Sequence, residues 1–226
     1  MAPQKNPSPV CDKPRDPLRA PGRHVGEDPA TRASLDAYAE IVRAWAPKTN
    51  LVSQVDLPDF VDRHILPALA LRPIIQALPH RRLLDVGSGA GLPGIPLAIT
   101  LPSSRITLIE SRRRRANFLR HVVRSLALTN VTVVCERVEA WTATNSFDIV
   151  MSRAVTDLAS LALMARSCLH SAGFLLVTTG PETGHRNSGM RATLPIVERF
   201  PAALTALVAH PIGDPCGLPE SCGRSC

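Results

Sequence analysis

Apolar positions change their spacing near residue 81. From Thr31 onward, Leu35, Tyr38, Val42 and Trp45 recur at intervals of three and four, which lines one face of a helix. Pro47 is expected to end that helix, because its ring removes an N–H and collides with the preceding turn. A second helical stretch is expected over residues 58–77, carrying Phe60, Val61, Ile65, Leu69 and Leu71, kinked or shortened by Pro67 and Pro73. Beyond Arg81 the apolar runs are short. Residues 83–86, 105–110, 131–135, 147–151 and 174–178 read as strands. Residues 92–100 are moderately apolar. Residues 112–128 read as a helix with Phe118, Leu119, Val122, Val123 and Leu126 on one face, and 158–169 as another helix. Strands alternating with helices indicate an α/β fold, a mainly parallel sheet with helices on both faces. The two leading helices form a small N-terminal helical cap over residues 31–80, and the α/β core occupies 81–180.

Residues 1–30 hold seven of the chain's 21 prolines and few large apolar side chains. Such a stretch buries too little surface to offset its ordering entropy, so a disordered tail is expected. The rest has an ordinary globular composition, 45% apolar and 20% charged over 226 residues. No apolar run approaches the length of a membrane span, and no secretory signal is visible. A cytoplasmic protein with no membrane partner is therefore expected. The six cysteines (Cys11, Cys135, Cys168, Cys216, Cys222 and Cys226) show no zinc-ligand spacing, so no metal site is expected. Twenty-six basic against 19 acidic residues leave a net charge of +7, which favours an anionic partner, nucleic acid first.

The chemistry gathers in one loop. Gly87-Ser88-Gly89-Ala90-Gly91 follows a buried strand and precedes a helix. A dinucleotide fingerprint would place its third glycine at position 92, which is Leu92. An acid, Asp85, instead stands two residues before the loop. A carboxylate there repels a pyrophosphate and suits a ligand with positive charge and no phosphate, such as S-adenosylmethionine. Glu110 closes the second strand, where an acid takes the hydroxyls of a ribose. Strand, D-x-G-x-G-x-G, helix, strand and terminal acid in one register point to a Rossmann-like class I methyltransferase.

The helix that follows carries most of the charge. Six arginines and one acid between Glu110 and Arg124 give a net +5. At 100° per residue, Arg113, Arg120 and Arg124 fall within about 40° of one another, opposite the apolar stripe. Beside the cofactor strand, that face reads either as a solvated surface or as a contact for an RNA backbone.

The run Leu84-Asp85-Val86-Gly87-Ser88-Gly89-Ala90-Gly91-Leu92-Pro93-Gly94-Ile95-Pro96-Leu97-Ala98 resembles the signature of the RsmG/GidB family, bacterial small-subunit (16S) ribosomal RNA guanine-N7 methyltransferases. Asn50-Leu51-Val52-Ser53, Asp62-Arg63-His64-Ile65-Leu66, Arg114-Arg115-Ala116-Asn117-Phe118-Leu119-Arg120 and Ser152-Arg153-Ala154-Val155 resemble other segments of that family. The resemblance covers roughly residues 33 to 178 and implies S-adenosylmethionine as cofactor. It implies a donor pocket at Asp85, Gly87, Gly89 and Leu92, with Glu110 on the ribose and Val138 and Glu139 flanking the adenine. Arg153 would border cofactor and target base and position them. Lys48, Arg63 and His64 would join Arg113, Arg120 and Arg124 in meeting RNA. The implied partner is small-subunit ribosomal RNA or the 30S subunit, met by a monomer. Guanine N7 carries a free lone pair, so no general base and no essential histidine are expected.

The C-terminal segment departs from the family pattern. Thr178-Thr179-Gly180 stands where a Lys-Gly pair is expected, and residues beyond His210 offer no apolar run. Residues 204–208 have the composition of one strand. A divergent segment over 181–226 with incomplete sheet closure would leave the fifth strand's edge unpaired. The alternative that follows is a cofactor- and RNA-binding protein impaired in turnover.

Overall fold

The structure, a computed structural model, describes residues 28–142, 146–153 and 167–179, together with Leu161, Met164, Ala165 and a strand over 205–209. Helix α1 (Pro29–Thr49) starts six residues before Leu35, the first residue of its apolar stripe. Asp28 caps it, its Oδ2 accepting from the backbone N–H of Thr31 at 2.9 Å, and Pro29 follows in the first turn, where a missing N–H costs nothing. Pro47 does not end the helix, contrary to expectation. It lies in the last turn, where only one backbone bond is lost. The Thr49 hydroxyl donates to the Trp45 carbonyl at 2.7 Å, and Asn50, at φ 47°, closes the end by donating to Ala46 O.

The stretch at 58–77 is broken into three short pieces, the shortening that its prolines suggested. A π-helical segment (Val61–Ile65) runs into α2 (Leu66–Leu69), and α3 (Arg72–Gln76) follows. Pro67 and Pro73 sit in the first turns of α2 and α3, so the prolines begin helices here.

The remaining elements are β1 (Arg82–Val86), α4 (Gly94–Thr100), β2 (Arg105–Ile109), α5 (Arg113–Ser125), β3 (Val131–Val134), β4 (Phe147–Arg153), β5 (Leu169–Thr179) and β6 (Thr205–Ala209). The sheet order is β3-β2-β1-β4-β5-β6. The first five strands are parallel, with Asp85 of β1 opposite Leu108 of β2 and Met151 of β4. Alternation along the strands splits the core in two. Leu83, Ile106, Leu108, Ile149 and Met151 pack against the cap, α4 and α5. Leu84, Val86, Ile109 and Val150 pack on the other face with Val138, Leu161, Ala165 and Cys168. Helical residues thus cover both faces, as the alternating pattern requires.

Two expectations at the far edge change. Strand β5 begins at Leu169, five residues earlier than the apolar run suggested, with an irregularity in its pairing to β4. Its outer edge is paired: β6 runs antiparallel to it, with Leu175 opposite Ala209 and Thr179 opposite Thr205. Residues 1–27, 180–204 and 210–226, which hold most of the proposed tail and C-terminal segment, lie outside the described residues. Among the described residues no helix is long and apolar enough to cross a membrane, and no cluster of three metal-ligating side chains occurs.

Candidate functional site

The carboxyl ends of β1, β2 and β4 meet beneath the glycine loop, the place where open α/β sheets take their ligands. The loop is tied to its neighbour strand: the N–H groups of Gly87 and Ser88 both donate to Ile109 O, at 2.9 and 3.2 Å. Gly87, Gly89 and Gly91 have φ of 71°, 55° and 94°. Space separates their roles. A Cβ on Gly91 would stand 2.5 Å from Ile95 Cγ1, and one on Gly94 2.3 Å from Leu108 Cδ2, so those two are small because helix and strand pack there. A Cβ on Gly87 would meet nothing within 4 Å. That opening lets a ligand approach the backbone.

Glu110, only 4% exposed, lies under the loop. Its Oε2 accepts from the Gly89 N–H at 3.0 Å and its Oε1 from the Arg112 N–H at 2.8 Å. Each carboxylate oxygen keeps a second lone pair, so the group both shapes the loop and retains capacity for hydroxyl donors. Asp85 lies deeper than Glu110, at the end of β1. It is fully buried; its Oδ2 accepts from the Gly94 N–H at 3.0 Å, and its Oδ1 is buried without a partner. Burial pushes its pKa up to about 7, against the Gly94 hydrogen bond that favours the charged form. Asp85 therefore sits below the loop, where it anchors the start of α4.

Three contacts join the cap to this edge, and none had a local signal in the sequence. The Tyr38 hydroxyl, fully buried, donates to Ala90 O inside the loop at 2.8 Å. Arg115 of α5 donates from Nη2 to Asn50 O at 3.0 Å, and its Nη1 reaches within 4.0 Å of a Cβ built on Gly89. At the end of β4, Ser152 Oγ donates to Val86 O at 3.0 Å, and Arg153 Nη2 donates to His64 Nδ1 at 2.5 Å. Arg153 is exposed as a residue, yet partial desolvation pulls its guanidinium below the usual arginine range. His64 is 8% exposed; desolvation and then the Arg153 charge lower its pKa to about 4, with Asp56 pulling the other way. The ring is neutral at pH 7.

The residues present fit a nucleoside-type methyl donor: an open cradle at Gly87 and an acid with spare acceptor capacity at the end of β2, with Leu92 and Val138 buried in the two cores on either side of the sheet. The family model described as rRNA small subunit methyltransferase G, GidB, matches residues 31–194. The chain belongs to the GidB family. Among its GidB relatives, a protein of Laribacter hongkongensis named Ribosomal RNA small subunit methyltransferase G is 39% identical over 136 residues, 60% of this chain and 64% of the relative. One of the same name from Salmonella arizonae is 43% identical over 139 residues, 62% of this chain and again 64% of the relative. The matched region thus spans just under two thirds of each relative's length. A solved structure described as a SAM dependent methyltransferase from Aquifex aeolicus overlays 60% of this chain and 74% of its own, with a TM-score of 0.48 and 17% identity.

The other GidB-derived positions divide by location. Glu139 is exposed beside buried Val138, just past β3. Arg113, Arg120 and Arg124 are all exposed on α5, opposite buried Phe118, Leu119 and Val122. Lys48 is exposed at the end of α1. Arg63 is exposed but already held by carboxylates: Nη1 lies 2.7 Å from Asp56 Oδ1, and Nε lies 3.9 Å from Asp59 Oδ2. Its charge is compensated at the surface, whereas no ion pair to Arg113, Arg120 or Arg124 occurs among the described residues.

Proposed function

We propose that this chain transfers a methyl group from S-adenosylmethionine to N7 of a guanine in small-subunit ribosomal RNA. The observation that carries the reading is the open glycine loop closed over Glu110, in a chain whose residues 31–194 match the GidB family model. When bound, the donor supplies an electrophilic methyl carbon on a sulfonium. The N7 lone pair attacks that carbon while the carbon–sulfur bonding pair returns to sulfur, so no proton moves and no side chain acts as base. The protein's task is to hold the two reactants in line at near-attack distance. Glu110 accepts the ribose hydroxyls, and Val138 and Leu92 lie along the apolar parts of the nucleoside. Asp85 favours the donor's positive charge through its field, and Glu139 flanks the adenine from the exposed side. Arg153, at the border of the two pockets, holds the RNA side. Arg113, Arg120, Arg124 and Lys48 supply phosphate contacts, and Arg63 adds to them only as far as Asp56 and Asp59 release it. The substrate is free ribosomal RNA or the 30S subunit, and the protein works in the cytoplasm as a monomer.

The test is calorimetric titration with S-adenosylmethionine, with NAD as control, followed by methyl transfer to ribosomal RNA and to 30S subunits. Micromolar donor binding, no NAD binding and label at a guanine N7 are expected. A folded protein that ignores the donor, or that labels another atom, would overturn the reading.

A further inference from the structure

Methyl transfer as written uses no histidine, yet one is buried where the cap meets the end of β4. A guanidinium can only donate, and a ring nitrogen accepts only when it carries no proton. The Arg153 Nη2 contact at 2.5 Å therefore makes His64 Nδ1 the acceptor and leaves the ring proton on Nε2. That Nε2–H is buried without a hydrogen-bond partner, while Asp56 Oδ2 stands 3.8 Å away. Asp56, His64 and Arg153 thus form a row of carboxylate, imidazole and guanidinium from cap to strand, with His64 and Arg153 89 positions apart. A leucine would pack against Phe60 in the same place without burying an unpaired Nε2–H, so packing alone does not explain the ring.

We propose that His64 is a positioning residue for the RNA substrate: its Nδ1 holds the Arg153 guanidinium at the mouth of the crevice, so that the free N–H donors of Arg153 meet a backbone phosphate beside the target nucleotide. The inference rests on the RNA reading above. Product chemistry selects phosphate over the base edge. Methylation at N7 leaves the purine positively charged, and a guanidinium against its carbonyl would oppose that charge. Against a phosphate the same cation is favoured throughout the reaction. Holding one guanidinium nitrogen fixes the fork and leaves the others free to bind.

The experiment compares the full chain with His64→Leu and His64→Asn, whose Oδ1 replaces the Nδ1 acceptor. Ribosomal RNA affinity is measured over a salt series, and donor affinity and thermal melting are measured beside it. His64→Leu is expected to weaken RNA binding about 10-fold and to lower the salt slope by one phosphate contact, roughly 0.7 to 0.9. Donor affinity should stay within about twofold, and His64→Asn should keep RNA affinity within about threefold of the parent. Equal losses in both variants, an unchanged salt slope, or a matching loss of donor affinity would overturn the proposal. If His64→Leu does not fold, nitrogen NMR of the unaltered chain decides. A proton on Nε2, with a ring signal that moves in Arg153→Ala, supports the arrangement, and a proton on Nδ1 overturns it. A parent chain that binds RNA with this His64 dependence but transfers no methyl group would overturn the methylation reading alone.

Discussion

Arg113, Arg120 and Arg124 stand exposed along one side of α5, whereas Arg115 and Arg153 reach across the chain to Asn50 and His64. The first group is surrounded by solvent, apart from a bond from Arg120 to Asn117 on the same helix, so its charges add to a field that salt screens. The second group is tied by hydrogen bonds to particular atoms of the cap, so its effect depends on geometry. Arginine content alone ranks the α5 face first. At the strand ends, by contrast, the Arg153 side chain is held by His64.

The sharpest way to break this comparison is at Arg153. Arg153→Ala should lower methyl transfer on the order of 100-fold, because misplacement at the reacting centre costs that much. Arg153→Lys should recover little of it, since an ammonium cannot bond His64 and a phosphate in the same fixed fork. Single-turnover rates with ribosomal RNA check both. Next, the triple change of Arg113, Arg120 and Arg124 to Gln should weaken RNA binding about 10-fold at physiological salt and reduce the salt slope by about 2, with each single change costing only about twofold. A single α5 variant as damaging as Arg153→Ala would dissolve the distinction.

Two groups drawn into the folded interior, His64 and Asp85, also respond to pH. His64 titrates near 4 when folded and near 6.5 when unfolded, so between those values the unfolded chain holds the extra proton and stability rises with pH. Asp85 titrates near 7 when folded and near 3.8 when unfolded, so the folded chain holds the extra proton and stability falls with pH over that range. The two slopes oppose each other and should leave the parent's melting temperature nearly flat from about pH 4.5 to 6.5. Asp85→Asn should uncover the rise, and His64→Asn should uncover the fall, at most ~1.4 kcal/mol per pH unit. Melting curves in that window decide it. The smallest effect is expected from Arg115→Ala, which loses one half-exposed hydrogen bond to Asn50 and should cost about 1 kcal/mol of stability.

Local patterns announced the parallel strands, the amphipathic α5 and the loop with its flanking acids, because periodicity and glycine spacing express themselves within a few residues. Pro47 misled because the rule against helical proline weakens in a last turn that Thr49 and Asn50 close. The edge of β5 was misjudged because residues 205–209 were weighed as an isolated run, without the antiparallel partner that makes them a strand. Burial of Asp85, the Tyr38 bond to Ala90 and the grip of His64 on Arg153 were illegible for one shared reason. Each joins residues that only the folded sheet brings together, 52 positions apart for Tyr38 and 89 for His64.

The hydroxyl of Tyr38 has one further consequence. Because it ends on a carbonyl within the glycine loop, α1 cannot loosen without loosening the cradle, and a ligand that orders the cradle must also steady α1. Donor occupancy should therefore slow deuterium uptake at α1 amides far from any contact with the ligand. A fragment trimmed to residues 81–180 would hold every donor-facing side chain and still bind poorly, and Tyr38→Phe should uncouple the helix from the loop while leaving both in place.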